Sequence, residues 1–362
     1  MNRINNFKIE EIIKEIKEIK SKSIYLYGSW LRCNHNPNSD IDILVVIDNP
    51  NINFGLFKKL TKEYPKIDLT IVREEELKNC AHGGFNRFYY FNVYYSSILV
   101  YGEDLISKLY TPMTTPKHAL WRVQCVAQRL RGIKYNKIKE EEFNFWINKF
   151  KKWIKLCICE YLLIIEGIYT TDLDEAIEIF QKMYWKIKTN GLEQLLETYE
   201  KLQNLFLKNM EEKNRVRNGV FIVVLNKDRK ILMLERNDGF GWEYPKGGFE
   251  LNETFSECAR RELKEETGIK KVQAMYLTPI VTSFKFPTED MNQIRVYRGI
   301  IVHTNEQPFQ LDPFFSNFRW MDFEEALTKM SWASYRQSLK KLKKWYDCFN
   351  KNFEGIKNYF KI

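Results

Sequence analysis

Much that would narrow the choice of function is missing from this chain. The seven cysteines include no Cys-x-x-Cys pair, and together with the four histidines they form no set with the spacing of a zinc site. A zinc-bound module is therefore not expected. No run of residues is long and apolar enough to span a bilayer; the best stretch, 161–168, is interrupted by Glu166. The opening segment, MNRINNFKIEEIIKEIKEIK, mixes charge with apolar residues and lacks the continuous apolar core of a secretory leader. With an odd cysteine count this fits a reducing cytosol, so a cytoplasmic location and no membrane partner are expected. Internal repeats and low-complexity blocks are absent too.

What is present is ample material for buried cores. Hydrophobic residues make up 44% and aromatics 15% of 362 residues, which excludes a disordered chain and leaves room for two or three domains. The net charge of +10 favours polyanionic partners such as nucleotides or RNA, although lysine and glutamate interleave throughout, as on solvated helix faces. Hydrophobic spacing divides the chain. Isoleucines at 9, 12, 13, 16 and 19 predict an amphipathic opening helix. Short β-type runs follow at 23–27, 41–47 and 67–72, an α/β pattern with a small sheet. After the prolines at 112 and 116, stretches 120–133, 141–165, 174–188 and 192–207 each read as an amphipathic helix, predicting a bundle. Residues 208–217 read as a linker or helix end. Beyond them, strands are expected at 219–225, 231–235, 271–280, 284–286 and 294–303, with closing helices at 323–329 and 335–349. The boundaries expected are 1–112, a helical bundle over 113–212, a third region over 213–350, and a tail over 351–362.

The third region carries the most specific signal. Gly247 is followed after five residues by Glu253 and after seven more by Arg261-Glu262-Leu263-Lys264-Glu265-Glu266-Thr267-Gly268-Ile269. On a helix, Glu262, Glu265 and Glu266 share one face, where three like charges repel until a hard divalent cation relieves them. Asn252 is placed to cap the helix and Gly268 to stop it. Gly247-Gly248 lets backbone approach a phosphate or metal closely. This pattern resembles the Nudix hydrolase box at every defined position. The resemblance implies an α/β/α sandwich and Mg²⁺ (Mn²⁺ as a substitute) held by Glu262, Glu265 and Glu266, with the Lys246 carbonyl as an extra ligand. It implies that Arg261 orients Glu265, that Glu253 braces the loop, and that water attacks a phosphorus within a diphosphate linkage. The lead-in Trp242-Glu243-Tyr244-Pro245-Lys246-Gly247 is similar to that of diadenosine polyphosphate hydrolases and RNA 5′-pyrophosphohydrolases. Many relatives carry a further glutamate before the closing strand. Here Asp312, Glu289 and Glu306 are the candidates beside Glu262, and the general base stays open among them.

A second motif lies at the other end. Gly28-Ser29 precedes, after ten residues, Asp40-Ile41-Asp42, and Asp68 sits in the next apolar run. Asp40 and Asp42 project to one face of a strand, where two carboxylates can hold Mg²⁺, and Asp68 would complete the set. Gly28-Ser29 would offer backbone amides to a triphosphate. This arrangement resembles the DNA-polymerase-β-type nucleotidyltransferases. Arg32 stands where that family has arginine, but the next position, glycine in the family, is Cys33.

Taken together these readings predict a multidomain α/β protein: a nucleotidyltransferase α/β core, a helical bundle and a Nudix sandwich. The expected function is bifunctional. One site would hydrolyse a dinucleoside polyphosphate, an NTP or an RNA 5′-triphosphate end. The other would transfer a nucleotide from ATP or another NTP to an acceptor hydroxyl. Two alternatives remain: a hydrolase regulated by an inactive nucleotide-sensing domain, or an RNA-binding factor that processes 5′ ends. The bundle interleaves Arg122, Arg129, Arg131, Lys134, Lys149, Lys151, Lys152 and Lys155 with Trp121, Trp146 and Trp153, a composition that suits either nucleic-acid contact or a tryptophan core with solvated lysines. Oligomeric state is not legible in the sequence.

Overall fold

The computed structural model describes residues 6–33, 39–48, 54–80, 87–109, 114–135, 140–210, 214–287 and 292–362. The chain forms two compact units. One comprises residues 1–112, 217–282 and 296–362; the other comprises 113–216 and 283–295.

The first unit opens with α1 (Asn6–Lys17), whose Ile9, Ile12, Ile13 and Ile16 are all buried. Then come β1 (Ser21–Tyr27), the single turn α2 (Gly28–Leu31), β2 (Ile41–Ile47), α3 (Phe54–Glu63), β3 (Ile67–Arg73), α4 (Glu74–Lys78), α5 (Arg87–Ser96) and β4 (Ile98–Gly102). The strands make a four-stranded sheet in the order β3-β2-β1-β4. β2 reads IDILVVI and is buried from Ile43 to Ile47, as a strand covered on both faces must be. It runs parallel to β3 across α3 and antiparallel to β1.

In the second unit α6 (Pro116–Tyr135), α7 (Glu140–Tyr161), α8 (Leu173–Met183) and α9 (Leu192–Lys208) pack around Phe150, Ile154, Ile158, Tyr199, Leu202 and Phe206. α7 passes into a π-helical turn over Leu162–Glu166 that ends at Gly167 in the left-handed region. The helix expected over 174–188 stops at Met183. Tyr184 leaves helical geometry, and the Gln181 side chain accepts from the Ile187 N–H in place of a helical carbonyl.

The remaining elements are β5 (Asn214–Leu225), β6 (Ile231–Arg236), β7 (Trp242–Glu243), β8 (Lys246–Gly248), α10 (Phe255–Thr267), β9 (Ala274–Pro287), β10 (Asn292–His303), β11 (Phe315–Met321), α11 (Phe323–Lys329) and α12 (Ala333–Asn352). Their sheet has the order β11-β6-β5-β10-β9, with β7 added to β6 and β8 to β5. The two runs expected at 271–280 and 284–286 are one strand, β9. A 3₁₀ turn over Glu354–Phe360 buries Ile356 and Phe360.

Within this first unit the two sheets are joined by side chains. Arg298 on β10 is buried and donates to the carbonyls of Thr278 (2.7 Å), Tyr94 (3.1 Å) and Ser97 (2.6 Å). The buried Trp345 indole donates to the Leu31 carbonyl (2.9 Å), and the Trp30 ring lies 4.8 Å from Phe353. Cys33 and Cys348 form a disulfide across 315 residues of sequence, a pairing no local signal announced. Among the described residues no helix is long and apolar enough to cross a membrane.

Candidate functional site

α10 carries the box residues. It buries Phe255, Cys258, Ala259, Leu263 and Thr267, so the charged arc is left facing β8. Its N-cap is Thr254, not Asn252 as the sequence suggested. The Thr254 hydroxyl accepts from the Glu257 N–H (3.3 Å), and the Glu257 carboxylate accepts from the Thr254 N–H (2.9 Å), a reciprocal capping box. Asn252 instead has φ +66°, a left-handed conformation incompatible with the extended backbone of a cap. At the other end Gly268 (φ +76°) caps the helix and donates to the Lys264 carbonyl.

Arg261 is the hub. Its guanidinium donates twice to Glu253 (2.6 and 2.8 Å), once each to Glu262 (2.8 Å) and Glu265 (3.0 Å), and to the Gly248 carbonyl (2.8 Å). Glu253 in turn accepts the Glu250 N–H, which ties down the loop between β8 and α10. Those bonds hold the Glu253 carboxyl below its usual range. Glu262 and Glu266 move the opposite way. Burial raises Glu262 despite Arg261, and burial pushes Glu266 up to about 8 despite the nearby Lys246 charge. Glu266 also accepts the Lys246 N–H (3.0 Å), pinning α10 to β8. Gly247 is required here: a Cβ would fall inside the Glu262 carboxylate. Gly248 presses against the Arg217 guanidinium in the same manner. Among the described residues no three acidic, histidine or cysteine side chains already converge at metal-binding distance.

Of the other base candidates, Asp312 accepts from the Phe314 N–H (2.8 Å), while its own N–H donates to the Glu266 carbonyl. Glu306 accepts the N–H groups of Lys270 and Lys271 and so caps a turn. Glu289 lies outside the described residues.

Sequence reasoning missed the groups beside this arc. Glu243 is fully buried, hydrogen-bonded to the Lys246 ammonium and 3.5 Å from Arg236. The Arg236 guanidinium lies 4.3 Å from the Phe314 ring and 5.7 Å from Phe240, and Phe240 stacks on Trp332 at 6.0 Å. All three rings are exposed. They come from three separate loops, so no local pattern could have gathered them.

In the four-stranded sheet, Tyr27 pairs with Asp42 and Asp42 with Asp68, which sets the three abreast on one face. Asp40, just before β2, shares that face and is exposed, as is Asp68; Asp42 is half-buried. Gly28 (φ +84°) starts α2 with Ser29 beside it, and a Cβ on Gly28 would overlap the Asp42 carboxylate. Arg32 closes that turn. Cys33, where glycine was expected, adopts the left-handed conformation itself (φ +58°) and is held by its bond to Cys348. Above the aspartates, Tyr89 donates to the Tyr27 hydroxyl (3.1 Å), and Tyr27 lies 3.4 Å from the Thr70 hydroxyl. Burial, then the charge of Asp42, raises the Tyr27 hydroxyl well above its ordinary value.

Comparison with known proteins finds a family for each of the two regions that carry these residues. The NUDIX domain family matches residues 215–342 and the Nucleotidyltransferase domain family residues 8–92. An RNA pyrophosphohydrolase of Pelagibacter ubique is 36% identical over 123 residues, covering 30% of this chain and 78% of that protein. One from Halorhodospira halophila is 27% identical over 150 residues, covering 37% and 83%. A C. elegans Ap4A hydrolase structure aligns with 37% of this chain and 99% of its own at 21% identity, with a TM-score of 0.31. The sequence relationship is what decides membership: this chain is an enzyme of the Nudix hydrolase family that carries a nucleotidyltransferase domain ahead of its Nudix domain.

Proposed function

We propose that the Nudix site removes phosphate from the 5′-polyphosphorylated end of an RNA, and that the amino-terminal site transfers a nucleotide from an NTP to a hydroxyl acceptor. The observation that carries the first half is the Arg261 hub, which arranges Glu253, Glu262 and Glu265 around the β8 backbone while Glu266 anchors that backbone from below.

The donor set fits a Mg²⁺ ion. Glu262, Glu265, Glu266 and the Lys246 carbonyl are hard oxygens on adjoining backbone, and the burial that raises Glu262 and Glu266 favours a cation or a proton there. When bound, Mg²⁺ supplies charge neutralisation at the phosphate oxygens and a more acidic water. The chain's own residues do the rest. Glu262, made more basic by burial, is suited to take a proton from the attacking water. Arg261 keeps Glu265 in place. Lys246, steered by Glu243, supplies positive charge where the phosphates would lie. The exposed rings of Phe240, Phe314 and Trp332, with Arg236 among them, offer stacking faces for the first bases, which supports an RNA end over a lone triphosphate.

For the second half, Asp40, Asp42 and Asp68 on one sheet face, beside the Gly28-Ser29 turn, support in-line transfer with Asp68 accepting the proton of the hydroxyl. The sensor alternative predicts nucleotide binding without incorporation of label.

The test offers purified protein and Mg²⁺ a 5′-triphosphate RNA, diadenosine tetraphosphate and each NTP, with products separated by chromatography. RNA should be cleaved best, and Glu265→Gln with Glu266→Gln should abolish cleavage. Full activity in that double variant would overturn the assignment. Preference for the dinucleotide or an NTP would keep the chemistry and replace the substrate.

A further inference from the structure

The helical unit carries a surface that neither chemistry above uses. α6 holds five lysines and arginines and no acidic residue. From Asn144 to Cys159, α7 holds four lysines and again no acidic residue. At 100° per residue, Phe145, Trp146, Lys149, Lys152 and Trp153 occupy one arc of about 120° on α7, away from the core residues Ile147, Phe150, Ile154 and Ile158. Trp146 and Trp153 lie at the edge of the core, each packed on the buried Phe150 (6.0 and 5.3 Å between ring centroids) with part of its ring left accessible. Phe145 is 53% exposed, and Trp146 and Trp153 are half-buried.

The row is continuous. Ring centroids are 5.7 Å apart for Phe145 and Trp146 and 6.5 Å for Trp146 and Trp153. The Lys149 ammonium sits 4.4 Å from the Phe145 ring and 5.6 Å from Trp146, and the Arg129 guanidinium of α6 is 5.9 Å from Trp153. Other cations of the unit are committed elsewhere: Arg122 to Glu160, Arg131 to Glu200, Lys134 to Glu193 and Lys155 to Asp174. Among the described residues Arg129, Lys149 and Lys152 have no carboxylate partner.

We propose that this arc of α7, with Arg129, binds single-stranded nucleic acid, the bases stacking on Trp146, Trp153 and Phe145 and the phosphates meeting Lys149, Lys152 and Arg129. Flat π faces accept any base, and cations set between them match the backbone that links successive bases. On the same arc of α7 lie also the half-buried Leu156 and, at the start of the helix, the exposed Glu142. Its other members are aromatic or cationic, which suits bases and phosphates more than a lipid surface, and an acidic protein partner would leave the rings without a use. This goes beyond the reading of the Nudix site and stands without it, because binding requires no hydrolysis.

The test uses the full chain and a fluorescein-labelled oligoadenylate RNA of about twelve nucleotides with a 5′ hydroxyl, which gives the hydrolase nothing to cleave. Binding is read by anisotropy across a salt series. Trp146→Ala and Trp153→Ala should each weaken binding by about 5- to 100-fold. Lys149→Gln with Lys152→Gln should flatten the plot of log affinity against log salt by about 1.4. Both lysines are exposed, so this variant keeps its fold and decides the matter even if the tryptophan variants melt. No binding by the unaltered protein at about 50 mM salt, or an unchanged slope in the lysine variant, would overturn the proposal. So would capture by phosphatidylserine vesicles in place of the oligomer.

Discussion

Replacing Arg298 with methionine tests whether the nucleotidyltransferase and Nudix sheets are one cooperative body. Methionine keeps much of the volume and removes the charge and its donors. Three main-chain carbonyls, of Thr278, Tyr94 and Ser97, lose their charged partner, and all three residues are themselves buried, as is Arg298. Bonds to charged donors contribute about 1.5–3 kcal/mol each, and a stranded buried acceptor costs about 1–3 kcal/mol. Removing the desolvation penalty of the guanidinium offsets part of the loss. The guanidinium also lies 5.2 Å from the Phe255 ring, a further contact methionine only partly replaces. A net loss of about 3–5 kcal/mol follows, or about 10 °C in melting midpoint for a body of this size. The informative assay is native hydrogen exchange. Tyr94 and Ser97 belong to α5 and its exit, whereas Thr278 belongs to β9, so protection should fall in both regions together. Loss of protection in β9 and β10 with α5 unchanged would refute the idea that Arg298 couples them. A midpoint shift under about 2 °C would refute the energetic argument.

Two smaller predictions concern titration and the substrate-facing groups. Glu243→Gln keeps the shape but frees Lys246 and Arg236 from their buried counter-charge; the KM for a 5′-triphosphate RNA should rise about tenfold or more with kcat less affected, and a fall in kcat alone would contradict a positioning role. Burial, reinforced by the Arg229 charge, lowers the His303 imidazole below its usual 6.5, so the fold favours the neutral ring. Its contribution to stability is present above that value and is lost as pH falls through the depressed one, by at most about 1.4 kcal/mol per pH unit. His303→Gln should flatten the stability profile in that acidic window, and an unchanged slope would assign the acid sensitivity elsewhere.

The parts of this protein legible in the sequence are those written in one stretch. The helix bearing Arg261 to Glu266 and its glycine stop were readable from spacing, as were the strands bearing Asp42 and Asp68, because each is fixed by local periodicity. What escaped is assembled across distance. Arg236, Phe240, Phe314 and Trp332 meet through three loops. Glu243 was visible only as a letter in a motif; its burial between two cations depends on the strand pairing around it. Asn252 was mistaken for the cap because asparagine suits both a cap and a left-handed turn, and the chain uses it for the second. The glycine position occupied by Cys33 looked like a departure until its partner, Cys348, was in view.

The last elements of the chain pack on the first. Phe353 lies against Trp30, Trp345 bonds the carbonyl of Leu31, and the final 3₁₀ turn touches α1 and β4. A ribosome making this protein releases the nucleotidyltransferase strands long before their covering arrives. Through the synthesis of the whole helical unit and most of the Nudix domain, the growing chain must carry an unfinished sheet with apolar surface open to collision. Contacts of such long sequence separation form slowly as a rule, and until they form, apolar surface on a partly covered sheet is open to aggregation.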